Sequence, residues 1–456
     1  MFDSLKIFIV DQMLRRVSSK LLRMSYEEIK KRITKVDWKT IKTIQKYKLL
    51  KTLRFAAKNS PYYRDRIKSV SKEISSRNIF DVLRRLPFTT PVEVSRDPES
   101  FLAIPYSDVI TFHFTAGTTG KRKKIFLSKK DLDKLIYYYS LGFVIHDLNK
   151  LDVAQIMYSF GTWQVGNMFQ EACERIGLKY LPTGNHISFK EQGEFMKEFK
   201  VTITLGTPSY IYRLASEIEL PTTIRDNMKF HLLGGEPLSK KTKHVIESNL
   251  GGEVYMGYGL MEFGGGFSSE CEYHQGYHIF PSVYPEIVDI KTGEPVEKEE
   301  WGELVLTSLD KQAMPLLRYR TGDITRFIDG ECECGLKLPR LDYIRGRTDD
   351  RITIGTAEKY YPIVFDEIFD SIDSVKDYQI VVLRENGKDL LKVFVVTNNP
   401  SDKLKQEILK KFYEIETLRI DIESTKAVCP PEIIFVNSIE KKGLKERKII
   451  DKRSFI

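Results

Sequence analysis

The 456-residue sequence has few cysteines and no long apolar run. No window supplies the roughly 18 consecutive apolar residues that mark a membrane-spanning helix. Residues 7–10 are apolar but lie between Asp3 and Asp11, so this run is too short for the core of a signal peptide. Five cysteines in so long a chain do not form a disulfide framework, which favours a reducing, cytoplasmic location.

Length and charge bound the remaining possibilities. At 41% hydrophobic residues, the chain can bury large cores and form two domains or more. Residues 1–60 carry 16 Lys or Arg against 5 Asp or Glu, a net of +11, within a formal total of +9. Apolar residues recur at helical spacing up to Met24, which predicts a basic amphipathic helix. We favour packing of this helix on its own domain over binding to an anionic membrane or a partner protein.

Residues 109–124 contain a predicted strand, a turn rich in Gly and Thr, and a basic run. The glycines let the backbone turn, and hydroxyl and N–H groups can surround phosphate oxygens. Arg122 follows the lysine, so the Walker A pattern is not matched. A solvated turn between two strands is the alternative. The candidate phosphate-binding residues are Thr115, Ala116, Gly117, Thr118, Thr119, Gly120 and Lys121.

Strands and helices alternate from residue 151 to residue 250. This order predicts parallel sheets covered by helices, with ligands at the carboxyl ends of the strands. The fold class is therefore α/β, with a large N-terminal region of several subdomains and a small α+β C-terminal domain joined by a hinge. We place the boundary between 1–348, which includes a basic helical lead-in at 1–60, and a small mobile domain at 349–456.

Three further segments complete a set with the loop. They are Val-Tyr-Met-Gly-Tyr-Gly-Leu-Met-Glu at 254–262, Arg-Tyr-Arg-Thr-Gly-Asp at 318–323 and Arg-Gly-Arg-Thr-Asp-Asp at 345–350. Together with the loop, they resemble motifs of the adenylate-forming enzymes, and most closely the phenylacetate–CoA ligase branch. The resemblance extends from about Trp38 to Arg453. It implies ATP, Mg²⁺ and CoA as cofactor and substrates.

The resemblance also assigns roles to residues of the nucleotide site. It places the Tyr258 ring on one face of adenine, beside Gly259, and the segment of Gly235, Glu236 and Pro237 on the other face. A flat ring suits a flat base. Glu262 is expected to hold Mg²⁺, since carboxylate oxygen is a hard ligand for a hard cation. Asp323 would accept hydrogen bonds from the ribose hydroxyls.

Arg347 would reach the nucleotide, and Asp349 would be the pivot of the hinge. The tail at 442–453 resembles the family's ending, which carries a catalytic lysine. The alignment of this tail puts that lysine at Lys445, and Lys441 and Lys442 are the alternative positions. Thr115, Glu262 and Lys445 are thus the expected catalytic residues. A solvated basic tail is the alternative for the last of these.

Two positions depart from the pattern of the family. Met261 replaces the hydroxyl residue that usually bonds the α-phosphate, and Pro91 stands where a lysine is usual. The second departure puts the acyl substrate in doubt. Tyr158, Phe160, Trp163 and Tyr210 either line an acid pocket or belong to the core.

Three cysteines and one histidine form a separate set of possible metal ligands. Cys271, His278, Cys332 and Cys334 match the complement of a closed tetrahedral zinc site. His274 competes with His278, and reduced, buried thiols are the alternative to zinc. Cys173 and Cys429 have no partner nearby in the sequence and are assigned to the core.

The expected function is activation of an aromatic or hydrophobic carboxylic acid to an acyl-adenylate, followed by transfer to CoA. Two rivals remain: transfer to an amine or carrier protein in a biosynthetic pathway, and a non-catalytic protein that binds nucleotide. We expect a small acid, ATP and CoA or another acyl acceptor as partners, and no nucleic acid. A homodimer stays open.

Overall fold

The computed structural model describes residues 28, 31, 34–68, 70, 73–115, 123–161, 165–348, 352–356, 358–439 and 448–453. The predicted amphipathic helix before Met24 lies outside these residues. The α-helices are α1 (Trp38–Asn59), α2 (Pro61–Lys68), α3 (Ile79–Arg85), α4 (Pro91–Arg96), α5 (Lys129–Val144), α6 (Val165–Ile176), α7 (Phe189–Glu198), α8 (Pro208–Glu217), α9 (Thr222–Arg225), α10 (Lys240–Leu250), α11 (Pro362–Asp370), α12 (Asp402–Glu414) and α13 (Glu416–Glu423).

Short 3₁₀ turns occupy Pro98–Phe101, Tyr106–Asp108 and Met261–Phe263. The strands are β1 (Val109–Phe114), β2 (Lys124–Ser128), β3 (Val153–Ile156), β4 (Lys179–Leu181), β5 (Ile203–Gly206), β6 (Phe230–Gly234), β7 (Glu253–Gly257), β8 (Gly259–Leu260), β9 (Gly265–Gly266), β10 (Ser268–Ser269), β11 (Tyr277–Ile279), β12 (Val283–Val288), β13 (Gly302–Ser308), β14 (Tyr319–Thr325), β15 (Phe327–Ile328), β16 (Arg340–Leu341), β17 (Gly346–Arg347), β18 (Ile352–Ile354), β19 (Glu358–Tyr360), β20 (Val375–Glu385), β21 (Lys388–Thr397), β22 (Glu432–Val436) and β23 (Ile449–Asp451).

The chain forms two compact units. The first takes in residues 1–238, 242–321 and 325–343, and the second takes in 239–241, 322–324 and 344–456. The main change of unit therefore falls at residues 343 and 344. The functional boundary proposed at 348 and 349 stays a prediction.

A five-stranded parallel sheet lies at the centre of the first unit. Its strand order is β4-β3-β5-β6-β7, and strands β5 and β6 are buried along their whole length, as expected inside a parallel sheet covered by helices. The chain runs from β3 to β4 on one side and then to β5 on the other side of β3. This reversal is a topological switch point, and it places a crevice beyond the carboxyl ends of β3 and β5.

Three described helices of the first unit begin with reciprocal caps, and the first is the box of Thr90 and Glu93 at α4. Ser128 and Asp131 form a capping box at α5, and Ser188 and Glu191 form another at α7. In each, a hydroxyl accepts from a backbone N–H while a carboxylate accepts from the N-cap amide, which satisfies donors that the helix leaves free. Helix α5 follows the β1–β2 hairpin directly and packs against α6.

Antiparallel strands complete the first unit. Strands β12, β13 and β14 form one sheet, and β10, β11, β16 and β15 form another in that order. The second of these sheets brings residues near 278 and 340 together, although some 60 residues separate them in the sequence. No described helix is both long and apolar enough to cross a membrane.

The second unit is an α+β domain with its own core. Its sheet has the order β22-β21-β20-β23, in which β20 and β21 form an antiparallel hairpin and the outer strands run parallel to their neighbours. Phe365 and Phe412 are fully buried between its helices and this sheet. One element differs from the sequence prediction. The sequence pattern predicts one helix over residues 403–420, whereas the structure has two helices there, α12 and α13, because Ile415 between them is extended with φ −76° and ψ 103°.

Candidate functional site

The β1–β2 hairpin holds the base of the predicted phosphate loop. The amide of Thr115 donates to the carbonyl of Lys123 over 3.2 Å, so the two ends of the loop are joined. Thr115 is buried, and its Oγ1 has no hydrogen-bond partner among the described residues. The other predicted loop residues lie outside the part of the chain that the structure describes: Ala116, Gly117, Thr118, Thr119, Gly120 and Lys121.

Glu262, the predicted magnesium ligand, is buried on the 3₁₀ turn after β8. Its Oε1 lies 2.5 Å from Nζ of Lys123 and accepts from the hydroxyl of Tyr319 over 2.9 Å. Burial favours the protonated acid, yet the ammonium of Lys123 and these hydrogen bonds hold the pKa of Glu262 below its usual value. The side chain is therefore an ionised oxygen ligand. The sequence marks Lys123 only as one charge in a basic run.

Lys311 supports the same turn from its backbone side. Its buried Nζ donates to the carbonyl of Glu262 over 2.5 Å. Burial lowers the pKa of Lys311 to about 8, against the attraction of the Asp131 and Glu262 carboxylates. A buried lysine is rare without such partners. Nothing in the sequence distinguishes this lysine from a surface one.

Tyr258 and Gly259 lie at the carboxyl end of β7. The backbone of Tyr258 is tied to Ser268, whose Oγ accepts from its amide over 3.2 Å and donates to its carbonyl over 2.8 Å. A Cβ added to Gly259 would lie 2.1 Å from the carbonyl oxygen of Gly265. One added to Gly265 would lie 2.0 Å from the hydroxyl of Tyr139. Only glycine fits at this close approach of two backbones.

The segment after β6 is also closely packed. A Cβ on Gly234 would lie 2.7 Å from the carbonyl oxygen of Gly257, while Gly235 has φ +87° and open space around it. Positive φ is costly for residues other than glycine. Glu236 accepts from the amide of Ser209 over 3.0 Å, and Pro237 is exposed. Gly235, Glu236 and Pro237 thus follow a sheet strand adjacent to the one that leads to Tyr258.

The aromatic residues fall near the switch point of the sheet. Tyr158 follows β3, donates to the carbonyl of Gly234 over 3.4 Å and stacks on Phe169 with ring centres 5.4 Å apart. The hydroxyl of Tyr210 on α8 accepts a hydrogen bond from Nε2 of Gln192 over 3.0 Å. Both tyrosines are only partly buried, whereas Trp163 lies outside the described residues.

The second unit holds the other predicted nucleotide residues. Asp323 on β14 pairs with Arg347 on β17, and Nη1 of Arg347 lies 3.0 Å from Oδ1 of Asp323. Asp323 is buried, and Gly322 beside it has φ +78°. The amide of Thr348 donates to the carbonyl of Gly322 over 2.6 Å, which holds the two strands together. Asp349, Lys441, Lys442 and Lys445 lie outside the described residues.

The four predicted zinc ligands come together in the first unit. Ligand atoms of Cys271, His278, Cys332 and Cys334 all lie within 4.8 Å of one another. Sγ of Cys271 is 3.6 Å from Sγ of Cys332, and Sγ of Cys334 is 3.4 Å from Nε2 of His278. Tetrahedral Zn–S and Zn–N bonds of about 2.3 Å and 2.1 Å require edges of roughly 3.6–3.8 Å. The cluster therefore has the size of a zinc site.

His278, rather than His274, belongs to this cluster. Strand β11 places His278 between β10 and β16, where it is fully buried. His274 instead stacks on Tyr255 with ring centres 5.1 Å apart, and its Nδ1 lies 3.6 Å from Glu270. The sequence spacing alone could not decide between the two histidines.

Comparison with known proteins gives a consistent result. The chain matches the family of AMP-binding enzymes over residues 20–310. Phenylacetate–coenzyme A ligase from Thermus thermophilus is 29% identical over 393 residues, which cover 83% of this chain and 88% of that protein. The phenylacetate–coenzyme A ligase of Escherichia coli is 28% identical over 425 residues, which cover 91% and 96% of the two chains.

Solved structures share the fold. 2-Hydroxyisobutyryl-CoA ligase, crystallised in the postadenylation state with R3-HIB-AMP, has a TM-score of 0.75 at 20% sequence identity and covers 91% of this chain and 90% of its own. An anthranilate CoA ligase in complex with anthranoyl-AMP has a TM-score of 0.54 at 18% identity, with 74% and 64% covered. These likenesses confirm the predicted α/β fold class.

Proposed function

This chain belongs to the AMP-binding enzyme family, and from that premise we propose how it acts as an AMP-forming acid–CoA ligase. In the first half-reaction, a carboxylate oxygen of the acid attacks the α-phosphorus of ATP, pyrophosphate leaves and an acyl-adenylate forms. In the second, the thiol of CoA loses its proton and attacks the acyl carbon, and AMP leaves. The products are an acyl-CoA thioester, AMP and pyrophosphate.

One observation of the structure supports this function best. Glu262 carries a buried, ionised carboxylate on the 3₁₀ turn after β8. Lys123 and Tyr319 contact the carboxylate, and Lys311 bonds the backbone carbonyl of the same residue. A buried charge is costly unless it is paired, so its retention indicates a task for the charge. The task that fits is ligation of a divalent cation beside phosphate groups.

Magnesium is the cofactor that this carboxylate suits. Glu262 would hold it, and a bound magnesium ion would supply positive charge to the phosphates as pyrophosphate leaves. The chain itself contributes the loop at 115–121, whose Thr115 lies at the end of β1 with an unpaired hydroxyl within the described region. Preorganised donors of this kind stabilise charge that develops in the transition state.

We propose that each unit contributes its own contacts to the nucleotide. In the first unit, the Tyr258 ring, Gly259 and the segment of Gly235, Glu236 and Pro237 would bind adenine. In the second, the buried carboxylate of Asp323 would accept from the ribose hydroxyls, with Arg347 holding it in place from 3.0 Å and reaching the nucleotide. An ionised acceptor bonded to two hydroxyls gives a strong contact.

Lys445 and Asp349 carry the change between half-reactions in this proposal. Lys445 would stabilise the phosphate charge during adenylate formation, and rotation about Asp349 would then withdraw it and admit CoA. Hinge motions of this type gate the steps of many enzymes. The register of the tail, with Lys441 and Lys442 as rivals, is part of the proposal.

The acid is proposed to be aromatic or hydrophobic. The crevice at the switch point of the parallel sheet is bordered by Tyr158 and, through α8, by Tyr210. Aromatic side chains favour apolar, flat groups. CoA is preferred over an amine or a carrier protein as acceptor because the relatives that match most of the chain are CoA ligases.

We also propose that Cys271, His278, Cys332 and Cys334 bind a structural zinc ion. All four are buried or nearly so, and their ligand atoms lie within 4.8 Å of one another, with two of the distances, 3.6 Å and 3.4 Å, close to the edges of a tetrahedral zinc site. A closed set of four protein ligands leaves no position for substrate, so the role is stability. The described cysteines are free thiols, which agrees with the proposed reducing, cytoplasmic location. A homodimer also stays a proposal.

The function is tested by measuring pyrophosphate release from ATP across a panel of aromatic and aliphatic acids, with and without CoA. Acyl-CoA is identified in the same reactions by mass spectrometry. We expect one acid class to give equal amounts of pyrophosphate and acyl-CoA, and Glu262→Gln to reduce both. Pyrophosphate release without consumption of CoA would favour the amine or carrier-protein acceptor. ATP binding with no turnover of any acid would favour the non-catalytic reading.

A further inference from the structure

Among the residues that the structure describes, Lys123 forms an ion pair with the carboxylate of Glu262. Its Nζ lies 2.5 Å from Oε1 of Glu262 and 3.1 Å from the hydroxyl of Tyr319, and the lysine side chain is 16% exposed. The backbone of Lys123 is fixed at the base of the loop by the amide of Thr115. Its side chain is therefore the part that can change partner.

This arrangement places a monovalent cation where the proposed function needs a divalent one. Oε1 of Glu262 already accepts from Lys123 and Tyr319. Two cations held at one small carboxylate in a buried site repel each other strongly. Ligation of magnesium by Glu262 and the contact with Lys123 therefore oppose each other.

Other groups keep Glu262 in place if Lys123 leaves. Tyr319 bonds the carboxylate, and Lys311 bonds the carbonyl of the same residue over 2.5 Å from within the core. Lys311 is buried and engaged with the backbone, so it does not share the freedom of Lys123. The two lysines thus have different roles at one glutamate.

We propose that Lys123 is a resident cation that exchanges with magnesium. In the nucleotide-free protein it neutralises Glu262. When magnesium and ATP bind together, Lys123 would release the carboxylate of Glu262, which would hold the magnesium ion, and the ammonium group of Lys123 would turn to the phosphates of ATP. This inference rests on the proposed function and identifies Lys123 as a further residue that binds substrate. The exchange explains why the carboxylate of Glu262, which suits a divalent cation, is paired with a lysine in the protein without nucleotide.

A double-mutant cycle on the binding of Mg·ATP tests the exchange. The variants are Lys123→Gln, Glu262→Gln and the double variant, and the dissociation constant of each is measured by calorimetry without any acid. If the pair breaks on binding, the two substitutions are non-additive, since Lys123→Gln also removes a competitor of magnesium. We expect a deviation on the order of 10-fold or more, as for a hydrogen bond between charged groups.

A permanent structural pair gives additive effects instead, and additivity would overturn the proposal. If Lys123→Gln does not fold, Lys123→Arg is used in the same cycle. The planar guanidinium of arginine can form two hydrogen bonds with the carboxylate, so it should impede the exchange only when Glu262 is present. The exposed pair Lys129 and Asp133, 3.0 Å apart, is the control, and its cycle should leave the affinity unchanged. Absence of Mg·ATP binding by the wild type would refute the proposed function itself.

Discussion

Nη1 of Arg453 lies 2.8 Å from Oδ2 of Asp389, and both side chains are buried in the second unit. Asp389 also accepts from the amide of Gly355 over 2.9 Å and from the more exposed Arg384. Arg453 follows β23, the strand that begins after the segment carrying Lys445. The ion pair therefore anchors the residue that follows β23 and, through Asp389, joins it to the turn after β18.

Arg453→Ala should destabilise the second unit, because the buried carboxylate of Asp389 then keeps only the amide of Gly355 and the exposed cation of Arg384 as partners among the described residues. The loss should be about 3 kcal/mol, near the lower end for breaking a buried pair, since Arg384 remains. Arg384→Ala is the matched control and should cost less than about 1 kcal/mol, as an exposed pair does. Equilibrium denaturation measures both. Equal losses for the two variants would contradict the anchoring role.

Asp323→Ala should weaken ATP binding, since the ribose hydroxyls lose a charged acceptor. Hydrogen bonds to charged groups contribute about 1.5–3 kcal/mol each, so the dissociation constant should rise at least 10-fold. Calorimetry with ATP measures the change. Asp329→Ala, at an exposed carboxylate that pairs with Lys298, is the control and should bind ATP normally. Unchanged affinity in Asp323→Ala would remove this residue from the nucleotide site.

The purified protein should contain about one zinc ion per chain. Cys332→Ser should lose the metal and lower the melting temperature, because metal bound only by the folded state stabilises it. Elemental analysis and thermal unfolding provide the two measurements. Cys173→Ser, at a buried cysteine outside the cluster, should keep its zinc. Metal-free protein from a purification without chelators would contradict the site.

The two half-reactions should respond to different residues. Lys445→Ala should abolish adenylate formation and leave thioester formation from supplied acyl-adenylate nearly intact. Asp349→Pro should leave adenylate formation nearly intact and suppress thioester formation, since proline restricts the backbone dihedral at the hinge. Pyrophosphate release and acyl-CoA formation report the two steps. If Lys441→Ala or Lys442→Ala removes the first step instead, the register of the tail is wrong.

His231 should make stability depend on pH. It is fully buried on β6, where Nε2 donates to the carbonyl of Gly251 over 2.7 Å and Nδ1 accepts from Thr204 over 2.6 Å. Burial lowers the pKa of His231 to about 4, so the unfolded chain binds a proton that the folded chain does not. This contribution is present above about pH 6.5 and is lost as the pH falls toward 4, by on the order of 3 kcal/mol.

His231→Gln retains a donor and an acceptor without the titration. Unfolding free energies at about pH 7 and about pH 5 should therefore fall more steeply for the wild type than for the variant. The carboxylates titrate in both proteins, so the difference between the two slopes isolates the histidine. Parallel slopes would show that protonation of His231 is not coupled to folding.

Much of the first unit could be predicted from the sequence. The sequence pattern predicts a helix over Val165–Ile176, and helix α6 has these bounds. The predicted alternation of strands and helices from 151 to 250 forms the parallel sheet and the helices beside it. The break at Ile415 could not be predicted, because the apolar spacing continues through it and no Gly or Pro marks it. The extended conformation there comes from packing in three dimensions.

The site shows the same division. Glycine-rich and aromatic motifs make Gly235, Tyr258 and Glu262 individual candidates, because their local sequence is distinctive. Lys123 and Lys311 were not found as individual residues, since a lysine in a basic or polar stretch reads as solvated. Their importance depends on contacts between residues 139 and 49 positions apart, and only the fold brings those residues together.

The close approach of Gly259 and Gly265 limits which residues of the proposed site can be substituted. Any side chain at either position meets backbone or the hydroxyl of Tyr139 at about 2 Å, so substitution costs folding before it alters recognition. Partly exposed Tyr158 and Tyr210 carry no such constraint. Laboratory selection for a new acid should therefore collect its substitutions around these tyrosines and leave the glycine turn untouched.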